Sequence, residues 1–177
     1  MNVWERRAAR LGAVIAVAAI GAAGAAEAHA AAATTGVPRC RQAQLGLAQP
    51  QSTGAAGSVR LRFVFTNVST STCKLFGFAG MQLLNARQQP LPTYVQRGSS
   101  TVVPPEPESD VVMTPGQHGS FYAGYSDVPT GGQACRVSTS VEVTPPNDAR
   151  HFTLKLAIAP CGGLLTLSPV VHGRLPL

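Results

Sequence analysis

Val59-Arg60-Leu61-Arg62-Phe63-Val64-Phe65-Thr66-Asn67, then Val68-Ser69-Thr70-Ser71-Thr72-Cys73, then Leu75-Phe76-Gly77-Phe78-Ala79-Gly80-Met81-Gln82-Leu83-Leu84-Asn85, sets the reading of the whole chain. Val59, Leu61, Phe63 and Phe65 fall on every second position, with Arg60, Arg62, Val64 and Thr66 between them. Successive side chains of a strand point to opposite faces, so this pattern predicts a strand with one core face and one mostly wet face. The Ser/Thr run after Asn67 suits a turn, and Cys73 stands where a second central strand should begin. The simplest expectation is a central pair of strands around which the others are added.

Outward from that pair, the chain supplies more strands. Gln42 to Ala48 is expected to pair antiparallel with Val59 to Asn67, across a Gly/Ala/Ser loop at Gly54 to Ser58. Met81 and Leu83 continue the apolar face of the second strand, Asn85 to Pro92 carries turn chemistry, and Thr93 to Arg97 reads as a short strand. Val111 to Met113, the Thr114-Pro115-Gly116-Gln117 turn, and Ser120 to Tyr125 read as strand, turn, strand, with Phe121, Ala123 and Tyr125 on one face and Ser120, Tyr122 and Gly124 on the other. Ala134 to Val143 and His151 to Ile158 flank Pro145-Pro146-Asn147-Asp148, the clearest hairpin in the sequence. Leu164 to Val170 adds a last strand and His172 to Leu177 reads as a tail. Seven or eight short strands with turn signals and no helical period indicate an all-β, two-sheet antiparallel sandwich of immunoglobulin-like type. The antibody hallmarks are missing: Trp4 is the single tryptophan and lies at the N-terminus, and no tyrosine stands two residues before Cys135.

The chain opens with what reads as a signal peptide over residues 1–30. Arg6, Arg7 and Arg10 precede an apolar run from Leu11 to Ala26, and Ala28-His29-Ala30 is a small-x-small cleavage site. The run is short and rich in Ala and Gly, so a retained membrane anchor is not expected. Residues 31–38 read as a flexible leader and 39–177 as a single domain. Export fits the cysteine usage. Cys40, Cys73, Cys135 and Cys161 are even in number, and no two are close enough for a C-x-x-C redox or zinc motif. In an oxidising compartment they read as two disulfides. Of the three connectivities, strand geometry favours one, Cys40–Cys73 with Cys135–Cys161. Pairing of Gln42–Ala48 with the central strand puts Cys40 near Cys73, and folding the late hairpin about residues 147–148 puts 135 opposite about 160, one position from Cys161. The immunoglobulin-like alternative joins Cys73 to Cys135.

A succession of short motifs runs through this reading: Cys40…Leu45, Gly54-Ala55-Ala56-Gly57-Ser58, Leu61…Phe65-Thr66-Asn67, Cys73-Lys74-Leu75-Phe76-Gly77-Phe78-Ala79-Gly80, Thr114-Pro115-Gly116, Cys135, Val143-Thr144-Pro145-Pro146, Cys161-Gly162-Gly163 and Ser168-Pro169-Val170. Together they resemble the bacterial family filed as domain of unknown function 4232. The resemblance implies an exported or lipid-anchored β-sandwich protein and brings no activity, substrate or catalytic residue. This chain departs from its lipoproteins in lacking a cysteine directly after the apolar run, which counts against a stable membrane anchor.

The chemical inventory is sparse. The formal charge is +6, and the basic residues are scattered. An anionic envelope polymer or another envelope protein is the partner class this charge admits, though scatter fits ordinary solubility charge better. No basic-aromatic motif points to nucleic acid. Glu106, Glu108 and Asp110 lie in a Pro-rich stretch without calcium-ligand spacing. His118 with Met113 is a thin metal candidate, and His118, His151 and His172 show no zinc or copper pattern. No serine lies in a G-x-S-x-G elbow. An exposed Tyr122 with Arg60 and Arg62 could form a binding face, although cross-strand packing fits it better. The expectation is therefore a secreted, non-enzymatic binding module without a cofactor, catalytic residue or metal. Its contact surface would be the loops Gly98–Asp110 and Ser126–Gln133, because loops on a rigid scaffold commonly carry recognition. A structural or stress-protective protein acting by assembly is the alternative, and a hydrolase whose site is assembled by the fold comes third.

Overall fold

A computed structural model describes residues 36–177. The expected signal peptide and most of the expected leader lie outside the described residues. The described residues are all-β and sandwich-like, with twelve short strands and one 3-10 turn at Gln42–Gln44: β1 (Leu45–Leu47), β2 (Gln51–Ala55), β3 (Ser58–Asn67), β4 (Cys73–Leu75), β5 (Gly80–Leu84), β6 (Tyr94–Arg97), β7 (Val111–Met113), β8 (His118–Ser126), β9 (Ser140–Thr144), β10 (Phe152–Lys155), β11 (Leu164–Leu167) and β12 (Val171–His172). The count exceeds the expected seven or eight because β2 was not expected and because turns break expected strands, as between β4 and β5. Ser168 is one such break. Fully buried, it exchanges bonds with the Tyr122 backbone and separates β11 from β12.

A large sheet has the order β1-β3-β8-β11-β6, with β2 also on β3 and β12 on β8; β10-β9-β5 form a second sheet and β4-β7 a third. The alternation in β3 sets the layers. Leu61, Phe63 and Phe65 of β3 share one buried cluster with Phe121 and Ala123 of β8, Leu165 and Leu167 of β11, Met81 and Leu83 of β5, and Val141 and Val143 of β9. Phe63 stacks on Phe121 with ring centroids 5.0 Å apart, and Phe65 reaches Phe152 of the second sheet at 6.2 Å. Burial of these rings supplies roughly 1.5–3 kcal/mol per side chain, the principal force holding the layers together.

The expected central pair is not one. β3 pairs with β8 along its length, from Ser58↔Ser126 to Thr66↔His118, while β4 pairs with β7 in another sheet. The segment between them turns out of the sheet because Asn67 redirects it. Asn67 is 1% exposed; its Nδ2 donates to the Ser71 and Met113 carbonyls at 2.8 and 2.9 Å, and its Oδ1 accepts from the Ser69 amide at 3.0 Å. The Thr114–Gln117 turn likewise crosses between sheets instead of closing a hairpin. Gly54–Ser58 is not an open loop. β2 runs to Ala55, and Ala56 and Gly57, at φ 51° and 78°, form the two-residue turn of a β2–β3 hairpin. Positive φ at both positions gives the twist that suits such hairpins.

Other expectations hold in register. β1 pairs antiparallel with β3 through Leu45↔Asn67, and β10 with β9 through Phe152↔Val143 to Lys155↔Ser140. Both disulfides form as expected, Cys40–Cys73 and Cys135–Cys161. The expected short strand at Thr93–Arg97 is β6, parallel to β11.

Candidate functional site

The outer face of the large sheet carries the alternate residues of the same strands. Ser58, Arg60 and Arg62 of β3 stand opposite Ser126, Gly124 and Tyr122 of β8. Two irregular segments cover this face. The loop after β6, expected as a contact loop, inserts Val103, which is fully buried against Tyr122 and Leu175. The C-terminal segment, expected to be a free tail, docks beside it. The Leu175 amide donates to Ser120 Oγ at 2.8 Å, Tyr122 Oη donates to the Pro176 carbonyl at 2.5 Å, and Arg62 donates to the Leu175 carbonyl. Tyr122 is therefore 2% exposed, which overturns the exposed binding tyrosine in favour of cross-strand packing. Burial pushes its phenol above the usual tyrosine range, with the nearby Glu106 adding to the rise against Arg60 and Arg62.

Gly124 fixes where the loop crosses the sheet. A Cβ there would stand 2.5 Å from Val103 Cγ2 and 2.7 Å from Val102 Cγ2, so the loop can lie this low only over glycine. On the β11 side of the crossing is a cleft of about 240 Å³, and on the β2 side a second of about the same volume. The two share Ser58, Thr101 and Val102 as walls. The first brings together the two loops expected to form a contact surface, Ser100–Val102 from one and Ser126, Val128, Thr130 and Gln133 from the other. Its floor is Gly124 and Thr166, and Cys161 of the second disulfide stands at its wall. The Ser126 loop is held by backbone bonds, Cys161 N–H to the Ser126 carbonyl at 2.9 Å and Asp127 N–H to the Gly57 carbonyl at 3.1 Å.

The first cleft has no charged lining residue; its polar groups are hydroxyls and one amide. Thr166 is 6% exposed, and its hydroxyl has no hydrogen-bond partner among the described residues, so it is left to the cleft. The second cleft is walled by Thr53, Gly54, Ser58 and Arg60. Arg60 lies with its guanidinium carbon 4.9 Å from the centroid of the Tyr122 ring, and Nη1 reaches the Val102 carbonyl at 3.5 Å. Sequence alternation marked Arg60 but not Thr166. The signal for Thr166 was a lone polar residue within Leu164-Leu165-Thr166-Leu167, opposite Gly124.

The histidines do not converge. His118 opens β8; its Nδ1 is 2.9 Å from Thr66 Oγ1 and its Nε2 is 3.1 Å from an Arg174 nitrogen, so both ring nitrogens are engaged away from the buried Met113. His151 pairs with Glu142 at 3.3 Å, and His172 is exposed. Of the three acids after Gly98, Asp110 pairs with Lys74 at 2.7 Å, beside a shallow surface hollow with Arg39 and Phe76. Among the described residues no three His, Cys, Asp or Glu side chains gather into a metal-holding group.

The family model described as Domain of unknown function (DUF4232) matches residues 40–171. No curated protein and no solved structure shows a significant match.

Proposed function

The chain belongs to the family of the domain of unknown function 4232, and from that premise we propose that it is an exported, non-enzymatic binding module of the cell envelope or extracellular space, with the two-part cleft as its ligand site. One observation carries this reading: two separate loops, anchored on the large sheet, converge on a single polar cleft lined by hydroxyl side chains, the nearly buried Thr166 among them. Polar groups fixed before a ligand arrives give specificity with little ordering cost. Export is supported by the two disulfides, which persist in oxidising compartments. No helix among the described residues is long and apolar enough to cross a membrane. The finer fold reading, an immunoglobulin-like sandwich, accompanies this proposal; the one buried cluster shared by the large sheet and the β10-β9-β5 sheet supports it, and the parallel β6–β11 pair departs from an all-antiparallel form.

The test is retention on isolated envelope of the producing bacterium, with the wild-type protein and a Ser58→Trp variant that fills the wall shared by both cleft halves. Retention of the wild type and release of the variant is expected. Equal retention of both would remove the cleft from the function, and no retention at low salt would remove the envelope reading.

Assembly is the second reading, favoured by β6. This terminal strand of the large sheet has all four residues exposed, including Tyr94 and Val95, and open edges recruit other strands. Sedimentation across a concentration series would show a growing species if this edge is the working surface, and a constant monomer if it is not.

A further inference from the structure

The two cleft halves differ in chemistry and adjoin, and that asymmetry describes a ligand. Arg60 presents the only charge in either lining. Among the described residues the ion pairs are Lys74–Asp110 and His151–Glu142, so Arg60 has no carboxylate within pairing distance. Its Nε is buried without a partner, and its one guanidinium bond, to Val102, is long at 3.5 Å. A guanidinium held over an aromatic ring, with its terminal nitrogens making only that one long bond, is pre-organised to take a carboxylate in the two-bond arrangement. Thr53, opposite Arg60 in register, and Ser58 add hydroxyls at the same end.

Past the Thr101–Val102 crossing the lining becomes neutral and hydroxyl-rich. Hydroxyls both donate and accept, so a row of them matches a ligand that does the same. Val128 and Leu164, each 47% exposed, flank this half and offer apolar surface for ring C–H groups. Together the halves fall in the roughly 300–1,000 Å³ range of small-molecule sites. We propose that they take one ligand, an acidic saccharide whose carboxylate docks on Arg60 and whose hydroxyls bond with the Ser/Thr half. This rests on the cleft being a recognition site and names its ligand class. Glu106, whose charge reaches Tyr122, is the nearby acid that would oppose such a ligand.

The test is a titration of the isotope-labelled, disulfide-bonded protein, read by amide chemical shifts, with D-glucuronate, D-glucose and sodium sulfate as separate probes. Glucuronate is expected to move amides of β3, of residues 100–102 and of β11 together. Arg60→Gln should weaken it by at least about tenfold, since a hydrogen bond to a charged group is worth that much. Arg60→Lys, which keeps the charge without the fork, should fall between, and Glu106→Gln should strengthen binding. Thr166→Val should weaken glucuronate and glucose alike. The amide spectrum of each variant reports its folding directly. Equal binding of glucose and glucuronate, indifferent to Arg60→Gln, would overturn the acid preference while leaving the cleft a recognition site. Sulfate reproducing the Arg60 shifts, with the hydroxyl half silent, would overturn the saccharide. No shift with any probe from a protein still retained on envelope would overturn the inference alone; no shift and no retention would overturn both readings.

Discussion

The two faces of the β3–β8 pair are made by the same strands and covered by different means. Inward, Leu61, Phe63, Phe65, Phe121 and Ala123 meet another sheet and are at most 2% exposed. Outward, Arg60, Arg62, Tyr122 and Gly124 meet an irregular loop and the C-terminal segment, held by single hydrogen bonds to Ser120, Tyr122 and Arg62. Apolar groups are satisfied by any close-packed neighbour, whereas polar groups need partners placed one at a time. The inner face is therefore buried along the length of the pair, and the outer face closes only where a partner reaches it. The clefts are what remains between.

The contrast breaks most visibly at Phe63. Phe63→Ala removes a fully buried ring stacked on Phe121 and should cost about 3–5 kcal/mol in urea unfolding, with the slope unchanged. Tyr122→Phe, equally central on the outer face, removes one bond to Pro176 and should cost about 0.5–1.5 kcal/mol. Equal losses would mean that the outer covering is as cohesive as the core.

Next in size is the disulfide that walls the cleft. Cys135–Cys161 closes a separation of 26 residues, and Cys135→Ala with Cys161→Ala should cost about 3.5 kcal/mol by loop entropy. Cys40–Cys73, with both partners at most 2% exposed, lies in the core cluster, whereas Cys135 is half-exposed. Mild reductant followed by alkylation should therefore label Cys135 and Cys161 first. Simultaneous labelling of all four would show that both bonds open only on global unfolding.

How much of this was legible in the sequence follows from the same contrast. The inner face was, because alternation of Val59, Leu61, Phe63 and Phe65 is a property of the strand itself. Both disulfides were, because each depends on the register of one antiparallel pair. The partner of β3 was not. Adjacency in sequence suggested β4, and the choice of β8 depends on how Asn67 spends its side-chain bonds, which composition does not disclose. The burial of Tyr122 was equally hidden, since its cover comes from Val103 and Leu175, residues in stretches read as contact loop and tail. The two loops that line the cleft were each visible as loops, but nothing local said that they meet.

Gly124→Ala sharpens the comparison at one atom. On the inner face a methyl added to Ala123 would enter the fully buried core cluster; on the outer face the methyl at 124 meets Val102 and Val103, which belong to a loop. The expected cost is about 1–3 kcal/mol. Displaced loop amides, with the shifts of Phe63 and Phe121 unchanged, would show that the strap yields while the sheet holds. Shifts spreading across the core would show that the two faces are mechanically coupled.

The smallest effect is titratable. His118 is at the outer-face end of β8, and Arg174 can only donate, so His118 Nε2 accepts from it and the proton sits on Nδ1, donated to Thr66 Oγ1. Protonating Nε2 would break the Arg174 bond and set two cations together. Burial first, and Arg174 second, hold the imidazole below its ordinary value of 6.5. The unfolded chain therefore takes up this proton at higher pH than the folded one does. The stabilisation is complete above about 6.5 and is lost as pH falls from there through the folded value. Imidazole shifts of His118 should give a midpoint below 6.5, and His118→Gln should flatten that part of the stability profile. Because the Arg174 bond anchors the C-terminal segment, acidification should loosen residues 173–177 before it touches the core. A midpoint at or above 6.5 would mean that the segment does not rest on His118 in solution, and that the outer face is more open than its hydrogen bonds require.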